Sequence, residues 1–246
     1  MDRLIYTSMT GANAAARRQD ALSNNLANVS TTGFRAEMST FRSVPLQGDG
    51  AKTRVFALEA TSGYLDTSGP AQTTGRNLDA MAKGNAWFAV QGLDGVEAYT
   101  KAGRFEVSAN GQLVTPAGLP VLSDGGAPID IPPNATIALG IDGTISAKTG
   151  DEPPTPVARL KLATVSAENP IKRGDDGLFR SVNGEALPSD PLAQMTGGQL
   201  EGSNVNAVEA MVGMIAASRQ FEQQMRLLQT AETNDKAAGQ LLSMNG

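Results

Sequence analysis

Chemistry at neutral pH needs a side chain that can carry a proton, hold a metal or attack, and this sequence supplies few. It has no histidine and no cysteine in 246 residues. The commonest general base, the commonest metal ligand and every thiolate nucleophile are therefore absent. Carboxylates remain. The adjacent pairs Asp175–Asp176 and Asp151–Glu152 come nearest to an acid–base couple, but each lies among Gly or Pro and reads as an exposed turn. The stretch DGTISAKTGDEP, starting at Asp142, spaces its polar side chains somewhat like a calcium loop. Ala147 stands where the obligatory Gly belongs and Pro153 where the bidentate Glu belongs, which rules that reading out. NVS at 28–30 and NAT at 134–136 match the glycosylation pattern with nothing else behind them. There is no P-loop and no properly placed GxGxxG. The residues imply no cofactor, no metal, no small-molecule substrate and no catalysis.

Composition points to a scaffold. Net charge is −5, which argues against a basic nucleic-acid-binding face, and aromatics make up only 4%. The length suits one large domain or two modest ones, with enough chain to bury a core. No run approaches the roughly 20 apolar residues of a membrane span. The start, MDRLIYTSMTGANAAARRQD, has no apolar h-region, so the default expectation is a protein that stays in the cytosol unless another route exports it.

The elements form three zones. At the N-terminus, Ile5, Ser8, Ala12, Ala15, Gln19, Leu22, Leu26 and Val29 step by three and four, a heptad seam with small occupants in its middle. Gly11 weakens that helix by about 1 kcal/mol relative to Ala. NVSTTGF then stops it, with Gly33 free to take positive φ. From about 204 the helical period returns without a proline. Ser203 or Asn204 could cap it, and Glu209 favours the positive helix end. Met211, Met214, Ser218, Phe221, Met225 and Leu228 form its seam, flanked by Val208 and Ile215. Continuous from 205 to 243, that helix would be about 58 Å long.

Between the helices, apolar and alternating runs are punctuated by turns. AWFAVQG (86–92) reads as a strand, and GRFEVSANGQLVT (103–115) as a hairpin with an Asn110–Gly111 type I′ turn, Phe105 and Val107 on one arm and Leu113 on the other. A second hairpin is expected around Asp142–Gly143 and a third around Asn183–Gly184, with Leu160 and Leu162 alternating in ARLKLATV. Two-residue turns join antiparallel strands. The fold class is thus a mainly β, antiparallel central domain flanked by N- and C-terminal helices that pair in a coiled-coil-like layer. The expected boundaries are a helical segment 1–33, an extended linker or edge-strand region 34–75, a β domain 76–200, and a C-terminal helix 201–246.

Both seams are poor for an isolated pair, because Ala, Ser and Gln occupy places where Leu would bury more. Either the helices lie on their own β domain, or they lie on each other and on neighbouring molecules and gain order through assembly.

ALSNNLANVSTTGFRAE (21–37) resembles the N-terminal signature of the flagellar rod and hook family, and residues 200–244, LEGSNVNAV onward, resemble its C-terminal signature. The segments at 69–113 and RGDDGLFRSVNG (173–184) are more similar to the family's proximal-rod branch than to its distal one. The resemblance implies a structural subunit of the bacterial basal-body rod, an axial tube that crosses the periplasm and transmits torque. It implies terminal helices in an inner tubular layer, a β domain outside, and export by the flagellar type III apparatus without a cleaved signal. Implied partners are other rod subunits and further copies of the chain. Implied assembly residues are Leu22, Asn24, Asn25, Leu26, Ala27, Asn28, Gly33 and Phe34. At the other end they are Leu200, Glu201, Ser203, Asn204, Val205, Glu209, Met211, Ile215, Arg219 and Phe221, with Met225 and Leu228 from the seam. Asn24, Asn25 and Asn28 span too wide an arc to face one seam, so some of their amides are expected to bond between helices. Other readings are a distal-rod or hook-type subunit, or a carbohydrate-binding β adhesin. The adhesin needs a cleft with aromatics on one face, whereas Trp87, Phe88 and Tyr99 alternate as core residues do.

Overall fold

A computed structural model describes residues 2–45, 55–150 and 152–244. Asp151 of the Asp151–Glu152 pair, part of the 34–75 region, and the last two residues of the C-terminal segment lie outside them. The chain divides into two compact units. A helical unit takes residues 1–29, 36–65 and 205–246, and a β unit takes 30–35 and 66–204.

In the helical unit, α1 (Asp2–Ala27) is followed by β1 (Glu37–Pro45) and β2 (Val55–Tyr64), which form an antiparallel pair with a register shift at Thr40/Phe41. They pair with each other rather than with strands of the β unit, and both pack on α1. The second helix, here α2, is Ala207–Met244. The helices run antiparallel. Gly11 of α1 faces Gln224, and Leu22, further along α1, faces Gly213, earlier in α2. The approach is close: a methyl group on either glycine would sit 3.0 Å from the facing side chain.

Small residues make that approach possible. Ser8, Ala12 and Ala15 are buried on α1 in line with the expected seam; further along, Ala21 and Asn25 are buried while the expected Leu22 and Leu26, one position later, are half-buried. On α2 the buried row is Ala210, Ala217 and Ala231, with Met214, Gln224 and Leu228 half-buried. The expected α2 seam is thus only partly right. Met214 and Leu228 face inward, but Met211 and Met225 are exposed, and their row is replaced by residues one position earlier. The physical reason is size: alanines at 210 and 217 and Gly213 let two backbones come together, and the bulky residues turn outward.

The expected cap also moves. Asn206 caps α2, its Oδ1 accepting from the backbone N–H of Val208 (3.0 Å) and Glu209 (3.3 Å). Ser203 and Asn204 are instead committed to the β unit.

The β unit is antiparallel throughout. In chain order its strands are β3 (Ala71–Thr73), β4 (Ala80–Ala82), β5 (Ala86–Gln91), β6 (Glu97–Thr100), β7 (Glu106–Val107), β8 (Leu113–Val114) and β9 (Ala135–Leu139). There follow β10 (Thr144–Thr149), β11 (Thr155–Arg159), β12 (Leu162–Thr164), β13 (Ile171–Arg173), β14 (Phe179–Ser181), β15 (Met195–Gly197) and β16 (Gln199–Glu201). The main sheet has the order β12-β5-β6-β14-β13; a second has β11-β10-β9; and β15-β4, β16-β3 and β7-β8 are pairs. Phe88, Phe105, Leu113, Ile145, Leu160 and Leu162 form the core, with Phe88 and Phe105 edge to face at 5.2 Å.

One turn recurs. At Gly92–Gly95, Ser108–Gly111, Gly140–Gly143 and Gly174–Gly177, the closing glycine donates its N–H to the carbonyl three residues back and takes φ between 77° and 87°. Asn134 is the only described non-glycine with positive φ. The Asn110–Gly111 turn is therefore not type I′, which needs two such residues, but a longer loop closed by one left-handed glycine. Val107, expected inside, is exposed. The hairpin expected at Asn183–Gly184 does not form. β14 pairs with β13 through the Asp175–Asp176 turn, and with β6 through Phe179 and Tyr99. Beyond Gly184 the chain meets Pro188 and Pro191, which cannot donate to a ladder.

Candidate assembly interface

The expected interface residues fall into three groups. Leu22, Leu26 and Leu228 are half-buried in the helical unit, and Asn25 is buried there. Asn25 spends its amide inside the chain: Nδ2 donates to Glu37 O (2.9 Å) and Oδ1 accepts from Glu37 N (2.8 Å), tying α1 to the start of β1. Asn28 Nδ2 donates to the backbone and side-chain oxygens of Asn24, both at 2.9 Å. These bonds of Asn25 and Asn28 run to β1 and along α1. Ala27 is exposed at the end of α1.

A second group faces solvent. Val208, Met211, Val212 and Ile215, at i, i+3, i+4 and i+7, form one stripe on α2, with 66%, 47%, 61% and 55% of their surface exposed. Glu209 and Arg219 are exposed, as are Phe221 and Met225 further along. On α1, Tyr6 and Met9 are exposed as well. This helix pair buries its small side chains and presents large apolar ones, the reverse of a self-sufficient amphipathic helix.

The third group sits in the β unit, where residues 30–35 and 200–204 run together. Gly33 donates its N–H to Glu201 O at 2.7 Å, and Asn204 N donates to Phe34 O at 3.3 Å. Gly33 has φ of 69°, and a Cβ there would lie 2.3 Å from the backbone of both Lys101 and Ala102. Arg35 and Glu201 make an ion pair of 2.8 Å with both side chains fully buried. Glu201 Oε1 also accepts from Gly69 N at 3.0 Å, and Asn204 Nδ2 donates to Thr67 O at 2.8 Å. Lys101, also buried, donates to Gly84 O at 2.6 Å. Arg35 and Lys101 lie over Trp87, 5.8 and 5.3 Å from the ring centroid, and Arg173 lies over Phe34 at 4.5 Å. Burial pushes the Lys101 ammonium down to about 8, with Arg35 acting the same way and Glu201 and Asp66 opposing. Leu200 and Ser203 complete this passage, and half-buried Val205 begins the C-terminal part of the helical unit.

Arg35, Lys101, Asn206 and Val212 were not singled out from sequence. The signal for the ion pair was present: one cation directly after GF in the first terminal motif, and one anion after Leu200 in the second.

Among the described residues, no group of three or more His, Cys, Asp or Glu could hold a metal. Trp87, Phe88 and Tyr99 are fully buried, so they offer no aromatic platform to a glycan. One surface depression is lined by Gly75, Arg76, Leu78 and Ile137 among others, its neighbour by Pro132, Pro133 and Asn134, and neither has an aromatic lining residue. No described helix is long and apolar enough to cross a membrane.

A β unit carried with paired terminal helices, and with its polar groups engaged in holding the chain together, defines a structural protein. Comparison with known proteins agrees. Residues 5–35 match the model for flagella basal body rod protein, 81–147 that for the flagellar hook protein FlgE/F/G D1 domain, and 196–241 that for the C-terminal part of flagellar basal body rod FlgEFG proteins. The flagellar basal-body rod protein FlgF of Salmonella typhimurium is 43% identical, and that of Escherichia coli K12 42%, each over the full length of both chains. FlgG of Buchnera aphidicola (from Acyrthosiphon pisum) is 30% identical over 93% of this chain and 95% of its own. The chain belongs to the flagellar basal-body rod FlgE/F/G family. It is a structural subunit of the rod, not an enzyme.

Proposed function

We propose that the protein occupies the proximal stretch of the rod and builds it through its helices. The outward stripe of α2 docks on neighbouring protomers, both copies of this chain and other rod subunits, in a torque-transmitting axial tube whose inner layer the helices supply. The observation that carries this reading is the exposure of Val208, Met211, Val212 and Ile215 on one face. Fully burying such a side chain is worth about 1.5–3 kcal/mol, so half-exposed ones hold roughly half of that in reserve for a partner. Head-to-tail contacts that do not close generate helical arrays, which suits a tube. Identity of 43% and 42% to the FlgF proteins of Salmonella and Escherichia coli, against 30% to Buchnera FlgG, supports the proximal assignment.

The subunit reaches the rod through the flagellar type III export apparatus with its N-terminus uncleaved. Support comes from α1 itself: its first turns are part of the helix that pairs with α2, so cleavage there would remove part of the seam. The terminal segments 1–33 and 201–246, which contain α1 and α2, act together in assembly, and 76–200 supplies the β body.

The test is Met211→Asp with Ile215→Asp in the full chain. Both positions are solvent-exposed, so the purified variant should keep its unfolding midpoint, yet it should be missing from isolated basal bodies and leave cells non-motile. A companion variant, Leu26→Asp, attacks the half-buried seam and should also block incorporation while the β unit stays folded. Normal rods built from the double variant would defeat the proposal.

A further inference from the structure

Two Asn–Gly pairs lie among the described residues, at 110–111 and 183–184, and they share a backbone conformation but not a setting. Gly111 and Gly184 have φ of 81° and 76°, and each donates its N–H to the carbonyl three residues back. At Gly111 that bond is 2.9 Å, and the Gly111 carbonyl also accepts from Ile131 N at 2.7 Å. The loop is closed on both sides by the β7–β8 ladder and by the bond from Ser108 N to Gln112 O at 2.8 Å. At Gly184 the bond is 3.2 Å and is the only one among the described residues. Asn183, Glu185 and Ala186 make no hydrogen bond among the described residues, and 182–186 are all exposed. The nearest anchors are Val182 N, bonded to Pro170 O at 3.0 Å, and buried Leu187, whose N–H donates to the Tyr99 hydroxyl. No atom lies within 4 Å of where a Gly184 Cβ would be, whereas Ile131 O is 3.2 Å from that of Gly111.

We propose that Asn183 is a self-modification site, where the chain deamidates through its own backbone, while Asn110 is protected. The Gly184 amide nitrogen, once it has given its proton to hydroxide, attacks Asn183 Cγ. The new N–Cγ bond closes a succinimide ring, and the side-chain nitrogen leaves as ammonia, taking a proton from water. A second water then opens the ring at either carbonyl. One opening leaves aspartate, the other isoaspartate, whose main chain is longer by one methylene. A glycine offers no side chain to block the attack. The nitrogen must turn toward Cγ, so the bonds that fix it have to open first. At 183–184 one long bond stands in the way; at 110–111 there are two shorter bonds and the hairpin around them. That difference in backbone bonding makes the folded-state reaction about tenfold slower at Asn110. The product adds a negative charge beside Glu185, on an exposed run where extra length costs little. It therefore marks the β unit with a charge that accumulates as the subunit ages. The site is independent of the docking stripe on α2.

The experiment ages the purified full chain at mildly alkaline pH and maps its peptides by mass spectrometry, with isoaspartate counted by enzymatic methyl transfer. Mapping keeps the third Asn–Gly pair, 245–246, apart from the other two. In the folded protein Asn183 should deamidate about tenfold faster than Asn110, and the isoaspartate signal should rise with it. In concentrated urea, where neither loop is held, the two rates should converge. Asn183→Ser, a change at an exposed position, should remove the fast-forming product and leave the slow one at Asn110. Equal rates at 183 and 110 in the folded chain, or a gap of the same size in urea, would overturn the proposal.

Discussion

Replacing Gly33 by Ala separates two costs that the structure puts at one residue. The first is conformational: a non-glycine residue at φ of 69° is disfavoured by about 1–2 kcal/mol. The second is steric. The new methyl carbon would sit 2.3 Å from Lys101 C and Ala102 N, backbone atoms that cannot rotate aside, and overpacking of that kind costs about a further 1–3 kcal/mol. Gly75 supplies the control. It has the same φ of 69° in the same unit, but nothing lies within 4 Å of where its Cβ would be. Urea unfolding followed by Trp87 emission should show Gly75→Ala destabilised by the conformational part alone, about 1–2 kcal/mol, and Gly33→Ala by about 2–5 kcal/mol. Equal losses for the two variants would refute the reasoning, as would a Gly33→Ala protein within 0.5 kcal/mol of the parent, roughly the ordinary scatter of neutral surface changes.

Other expectations follow from single contacts. Glu201→Ala strands Arg35, whose Nε and Nη1 have no other acceptor among the described residues, and should cost about 3–5 kcal/mol in the same urea assay. Asn206→Ala removes the α2 cap and should lower stability by about 1 kcal/mol, read as a lower thermal midpoint of the helical circular-dichroism signal. The hydrogen bond from Arg180 holds the Asp176 carboxyl below the usual carboxylate range; the bond from Leu178 N adds to it. Its contribution is present above about pH 4 and is lost as pH falls through the folded value, so Asp176→Asn should flatten the acid limb of the stability curve.

The helices and turns were legible because their signals are local. Small residues at three-and-four spacing marked α1, and Gly after Asn or Asp marked the hairpin loops. What failed depended on partners far away in the chain. Three-and-four spacing puts Met211 and Met225 in the α2 seam, but an antiparallel neighbour approaching at Gly11 and Gly213 selects the smallest row, and no periodicity in α2 alone reports that. Asn206 caps α2 because Ser203 and Asn204 are engaged elsewhere, at Thr67 in the case of Asn204. Asn183–Gly184 carried the strongest two-residue hairpin signal of its region, yet the strand after it was missing, and β14 found β13 and β6 instead. The ion pair of Arg35 and Glu201 joins residues 166 positions apart in sequence, visible only once the two terminal motifs are seen side by side.

The central claim is that the apolar face of α2 is covered in the rod and open in the free subunit. The chain has no cysteine, so Ile215→Cys creates one reactive thiol on that face. Maleimide labelling should be rapid in the purified subunit, should be blocked in intact basal bodies, and should return when the rod is dissociated. Equal labelling of free and assembled protein would contradict the account.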